Sequence, residues 1–165
     1  MPGPDQAPEP QYASYPSLVD RSVFVTGGAD GIGRAIVEQF THQGARVGFA
    51  DINTAKGDGL VEALVATNPR HDPRFYAVDL TDIEALRTAL EQAMTDLDGI
   101  TVLVNNAAND DRHGWEDMTP EYWDDRLNTN LRHYFFAIQA VAPGMIAAQN
   151  GSIVNIGSSS YMMQE

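Results

Sequence analysis

From Arg21 onward, short runs of β-branched and apolar residues alternate with longer stretches whose apolar positions recur at helical spacing. That alternation is the signature of βα units built around a parallel sheet. The apolar runs predict strands over 22–26, 46–50, 74–78, 101–105 and 152–156, each short and apolar enough for a sheet covered on both faces. Helices are expected near 31–43, 54–67, 83–97 and 121–148. The third of these places Ile83, Leu86, Leu90, Ala93, Met94 and Leu97 on one face. Asp82 suits its N-cap, and Thr119 suits the cap of the last helix, with Pro120 in the first turn where a missing N–H costs nothing. Pro143 is expected to kink or shorten the far end of that helix.

Ahead of this pattern, residues 1–17 carry Pro2, Pro4, Pro8, Pro10 and Pro16 among Gly, Gln, Ser and acids, a composition that resists helix and sheet alike. They are expected to form a loose arm, leaving 18–165 as one domain. At 165 residues, with 43% hydrophobic content, the chain can bury a single core. Its net charge of -13, from 23 acidic against 10 basic residues, argues against nucleic acid or an anionic membrane as partner. The absence of cysteine excludes disulfides and thiolate chemistry and suits a reducing compartment, so a cytoplasmic location is expected. Neither a signal-like amino end nor an apolar run long enough to span a bilayer is present in the sequence.

The strongest local motif is Thr26-Gly27-Gly28-Ala29-Asp30-Gly31-Ile32-Gly33, placed directly after the first strand and opening the first helix. Gly27 permits a tight turn, Gly31 lets the backbone approach a diphosphate, and Gly33 allows close helix–sheet packing. The helix N-terminus adds free N–H groups and a favourable dipole. A glycine-rich turn without a ligand is the alternative, but the strand–loop–helix setting favours a dinucleotide, with Asp30 and Ile32 among its contacts. Eighteen residues after Gly33 stands Asp51, at the end of the second strand. An acid there accepts hydrogen bonds from the adenosine ribose hydroxyls and repels a 2′-phosphate, which favours NAD over NADP. Arg46 lies too early in the strand to clamp that phosphate. The fold class that follows is α/β, a Rossmann-type doubly wound parallel sheet with five strands present.

Combined with Asp79-Leu80 and Asn105-Asn106-Ala107-Ala108, the glycine pattern resembles the short-chain dehydrogenase/reductase family across nearly all of 18–165. The resemblance implies that Asp79 binds the adenine amino group with Leu80 beside it, and that Asn106 and Ala107 brace the fourth strand next to the cofactor. The family has Gly where Ala108 stands, a change that costs freedom only if the backbone there needs a positive φ. Asn128-Thr129-Asn130-Leu131 is similar to the segment that supplies the family's active-site Asn. Asn130 is the matching residue, with the implied role of holding a water in a proton relay through the backbone of a kinked helix. Gly151-Ser152-Ile153-Val154-Asn155-Ile156-Gly157-Ser158 is similar to the fifth strand ending in the family's catalytic Ser. Ser158 matches, Ser159 and Ser160 compete with it, and its hydroxyl would hydrogen-bond the substrate oxygen as charge develops there.

The family's general acid/base is a Tyr tuned by a Lys four residues later. Tyr161 has Glu165 at that spacing, an acid that would raise its pKa, so Tyr161 is expected to wall the substrate pocket instead. The family's sixth and seventh strands and subunit-pairing helix are missing as well. The resemblance therefore implies an incomplete, C-terminally truncated domain, inactive as it stands, whose full-length form is a homotetramer or dimer. Within the family, Asn109-Asp110-Asp111-Arg112-His113, Tyr122-Trp123-Asp124 and Asn130-Leu131-Arg132-His133 resemble NAD(P)-dependent aldose 1-dehydrogenases acting on D-xylose, L-arabinose or D-galactose. The implied reaction takes an aldose to its lactone, with Asn109, Arg112 and His113 contacting the sugar. The alternatives are a relative acting on another alcohol or ketone, such as a 3-oxoacyl carrier-protein substrate, or a non-catalytic dinucleotide-binding remnant. An ion-paired surface loop at 109–113 competes with the substrate role, and a methyltransferase with a related sheet is opposed by the Asn-Asn-Ala and Asn-Ile-Gly-Ser segments. His113 and His133 have no third ligand beside them, so no metal is expected.

Overall fold

The computed structural model describes residues 13–111 and 114–158. Five strands alternate with helices: β1 (Ser22–Thr26), α1 (Gly31–His42), β2 (Arg46–Asp51), α2 (Thr54–Val65), β3 (Arg74–Ala77), α3 (Ile83–Asp96), β4 (Val102–Asn105), α4 (Pro120–Leu127), α5 (His133–Ala147) and β5 (Ser152–Asn155). All strand pairs are parallel, in the order β3-β2-β1-β4-β5. The chain builds outward from β1 to β3, then returns to the other side of β1 with β4. That reversal opens a crevice at the carboxyl ends of β1 and β4, where ligands bind in open α/β sheets.

Strand alternation divides the core in two. Phe24 and Leu103 face one side and pack with Leu86, Leu90 and Ala93 of α3 and with Ala137, Val141 and Met145 of α5. Their neighbours Val23, Val25, Val102 and Val104 face the other side, against Val37 of α1 and Leu60 and Leu64 of α2. Helices α1 to α4 each start where a side chain caps them. Asp30 accepts from Gly31 N, Asn53 from Lys56 N, Asp82 from Glu84 N and Ala85 N, and Thr119 from Tyr122 N with Pro120 in the first turn.

Coverage of every strand on both faces, expected from composition, holds at the centre and fails at the edges. β1 and β4 are buried throughout, whereas β3 is partly exposed and all of β5 is exposed. The reason is positional: β3 and β5 are the outer strands, each hydrogen-bonded to one neighbour. The helix expected over 121–148 is also corrected. It is three pieces, because a π turn at Asn128–Arg132 separates α4 from α5. α5 continues through Pro143 to Ala147, so the proline does not end it early. The stretch expected to be a loose arm is tied down from Ala13 on. Gln43, just past α1, donates to Ala13 O and accepts from Tyr15 N, and a short 3-10 turn follows at Pro16–Leu18.

Candidate active site

The glycine loop between β1 and α1 forms one wall of the crevice. Gly27 has φ +65° and donates to Ala50 O at 2.7 Å, which seats the turn on β2. A Cβ at Gly33 would lie 1.9 Å from Gly27 O and 2.6 Å from Asn106 Nδ2, so only glycine lets α1 start this close to the sheet. Gly31 differs: its φ is +53°, and nothing lies within 4 Å of the position a Cβ would take. A bare, open backbone at a helix N-terminus is the shape that admits a diphosphate. Ile32, 67% exposed, stands at the rim.

Asp51, at the end of β2, braces this loop from below. Its two oxygens accept from Ala29 N at 3.0 Å and from Asn53 N at 2.9 Å. Each oxygen keeps a further lone pair, and these are what a ribose hydroxyl could meet. Asp30 caps α1 through Gly31 N at 2.8 Å and pairs with Lys56 of α2. Those contacts hold its carboxyl below the ordinary range, the Lys56 hydrogen bond contributing most. Asp79 is exposed beyond β3, where it accepts from Thr81 N at 2.9 Å and Thr81 Oγ1 at 2.7 Å, while the side chain of Leu80 leans on the α3-side core. Diphosphate loop, Asp51 and Asp79 thus lie in sequence along the carboxyl edge of β1, β2 and β3.

The opposite wall follows β4. Thr26 Oγ1 accepts from Asn106 N at 3.0 Å and Ala107 N at 3.2 Å, and Asn106 Nδ2 donates to the carbonyls of Thr26 and Gly27. Asn106 therefore locks the glycine loop to β4. Ala108 is not among the residues with positive φ, so the substitution that could have strained the backbone here does not.

The π turn holds this segment from its other side. Asn130 Oδ1 accepts from Asn109 N at 2.7 Å and Asn130 Nδ2 donates to Asn109 O at 3.2 Å. His133 is fully buried and its Nε2 lies 3.2 Å from Ala107 O. Burial pushes the imidazole pKa below its ordinary value against the pull of the Ala107 and Thr129 carbonyls, so the ring is neutral and donates from Nε2. The next residue, Tyr134, donates from Oη to Ile156 O at 3.2 Å, linking α5 to the segment just before Ser158. Ser158 is exposed at the carboxyl end of β5. Asn109 also turns on itself, with Oδ1 accepting from Asp111 N at 2.8 Å. The candidate substrate residues Arg112, His113 and Tyr161 lie outside the described residues.

Three residues of this arrangement escape a reading of the sequence. Thr26 looks like a strand end, His133 like a helical histidine and Lys56 like a solvated charge. The first two are bound up in tertiary hydrogen bonds that leave no local pattern. Lys56 carries a signal, being the chain's single lysine, set five residues past Asp51.

A family model described as short chain dehydrogenase matches residues 21–164. The chain belongs to this family. Two relatives of the short-chain dehydrogenase are sugar enzymes by name. It is 48% identical to the probable galactose dehydrogenase GalD of Rhizobium meliloti over 151 residues, which is 92% of this chain and 59% of that protein. It is 44% identical to the D-xylose 1-dehydrogenase of Caulobacter vibrioides over 149 residues, 90% of this chain and 58% of that protein. Among solved structures, a 3-oxoacyl-[acyl-carrier protein] reductase of Brucella melitensis with bound NAD superimposes with a TM-score of 0.81 at 32% identity. The match covers 95% of this short-chain dehydrogenase and 63% of the reductase. A metagenomic relative is in complex with NADP. The chain thus spans less than two thirds of the length of the proteins it matches. Among the described residues no group of three His, Cys, Asp or Glu could hold a metal ion, and no helix is long and apolar enough to cross a membrane.

Proposed function

We propose that this short-chain dehydrogenase contributes the dinucleotide-binding and substrate-orienting part of an NAD-linked oxidoreductase that oxidises an aldose at its anomeric carbon. The observation that carries the cofactor is the edge just described: an open Gly31 at the head of α1, then Asp51, then Asp79, each at a carboxyl end of adjacent strands. The sugar reading is supported by the likeness to the galactose and D-xylose enzymes. Bound nicotinamide dinucleotide supplies the hydride acceptor. The chain's own contribution is placement. Gly31 and the first turn of α1 receive the diphosphate, the free lone pairs of Asp51 receive the ribose hydroxyls, and the Ser158 hydroxyl donates to the substrate oxygen. Asn130 keeps the Asn109 backbone in place beside them. An aldose calls for convergent polar groups, and the sequence 109–113, which follows β4 in the chain, is rich in amide and charge.

The test is an assay of NAD and NADP reduction with aldoses, secondary alcohols and 3-hydroxyacyl thioesters. It is run on this chain and on a version extended by whatever the gene encodes after Glu165. The chain alone contains no Tyr with Lys four residues later, so turnover is expected only in an extension that adds that pair. Activity on acyl thioesters but not on sugars would overturn the substrate. Asp51→Ala is expected to narrow the preference for NAD, and an unchanged kcat/KM ratio between the cofactors would remove Asp51 from the site.

A further inference from the structure

We propose that Lys56 is a latent 2′-phosphate receptor kept out of use by Asp30, so that the Asp30–Lys56 pair, together with Asp51, sets which dinucleotide the crevice accepts. The inference rests on the dinucleotide reading above and adds the residues that tune it. Lys56 lies in the first turn of α2, where its backbone N–H is fixed by the cap Asn53 at 3.1 Å. Its ammonium crosses from the head of α2 to the head of α1 and pairs with Asp30 there. Those two helix heads flank the carboxyl ends of β1 and β2, so the pair bridges the gap between the diphosphate position at Gly31 and the ribose position at Asp51.

The pair contributes little to holding the fold. Its side chains are 53% and 65% exposed, and ion pairs so open to water add little stability. It does settle a local charge balance. Asp30 and Asp51 put two carboxylates around the loop, and Lys56 offsets one. The neighbouring cation, Arg34, is engaged by Glu38 at 2.8 Å. A 2′-phosphate arriving beside Asp51 therefore meets a carboxylate and no disengaged cation from either helix head. Removing the Asp30 carboxylate would leave the ammonium without that partner, on the helix head that follows Asp51.

Serine and asparagine cap helices about as well as aspartate, so Asp30→Ser and Asp30→Asn keep the start of α1 while releasing Lys56. Dissociation constants for NAD and NADP are measured by calorimetry on the parent chain, both Asp30 variants, and the Asp30→Ser/Lys56→Ala double variant. In parallel, reductive methylation with ¹³C-formaldehyde labels Lys56 and the amino terminus, since the chain has no other lysine, and it preserves the charge. The ratio of NADP to NAD affinity is expected to rise about tenfold in the Asp30 variants, the scale of one charge-assisted contact at an open site. The Lys56 methyl resonance should shift with NADP in those variants, and the gain should vanish in the double variant. If the parent binds NAD yet the Asp30 variants keep its NAD-to-NADP ratio, or the double variant retains the gain, the masking role is wrong and the cofactor reading stands. If the parent binds neither dinucleotide, both fall.

Discussion

At Gly33 a single methyl group would occupy space already taken by Gly27 O and Asn106 Nδ2, whereas at Gly31 it would enter open space on a strained backbone. The two glycines therefore fail differently when changed to alanine. Gly33→Ala is expected to lower unfolding free energy by about 1–3 kcal/mol, as overpacking does, and to weaken dinucleotide binding with it. Gly31→Ala should cost about 1–2 kcal/mol for the left-handed φ and obstruct the diphosphate more than it destabilises the fold. Urea titrations beside NAD binding isotherms separate the two, and equal losses in both measurements would contradict the assignment. The glycines and Asp51 were legible in the sequence because turn chemistry and the spacing to the next strand end are local. The partners of Asn106 were not. A side chain that bonds Thr26 and Gly27 across eighty positions leaves nothing in its own neighbourhood to read.

Helical periodicity predicted α1, α2 and α3 to within a few residues but merged α4 and α5 into one element. A π turn adds a residue to the turn without removing the apolar face on either side, so the pattern of positions hides it. Its consequence is functional: it sets the Asn130 side chain against the Asn109 backbone on both its donor and its acceptor. Asn130→Ala should speed hydrogen exchange at the Asn109 amide by about fivefold, the factor expected for a net hydrogen-bond contribution of about 1 kcal/mol, while α1 amides keep their protection. Asn130→Asp retains an acceptor for Asn109 N and should recover part of the effect. An Asn109 amide as protected in Asn130→Ala as in the parent would show that the turn, and not its side chain, holds the loop.

Over the whole molecule the five parallel strands were readable from the alternation of elements, and the exposure of the sheet's two margins was not, since the apolar runs of β5 and β1 look alike in sequence. Nor does sequence show that His133 belongs to the interior, fully buried with its Nε2 on Ala107 O. That placement makes stability depend on pH. The imidazole pKa is depressed on folding from an ordinary 6.5, so the unfolded chain binds the extra proton first. Stability from this residue is complete above 6.5 and is lost as pH falls through the lower folded value. His133→Phe should be less stable than the parent at about pH 7.5, yet lose less on going to about pH 5.5, where the carboxylates are still ionised. Parallel pH dependences in the two proteins, measured by urea unfolding, would mean that another group titrates.

The clasp of Gln43 on Ala13 and Tyr15 fixes where the chain enters the fold. Gln43 is the residue just past α1, so the clasp sits at the end of that helix opposite Gly31. The segment from Ala13 to Leu18 shares a groove with Ile32, Ile36 and Phe40 of α1, which it partly covers. Gln43→Ala should therefore loosen that cover and speed hydrogen exchange at the Tyr15 amide, whose acceptor it removes.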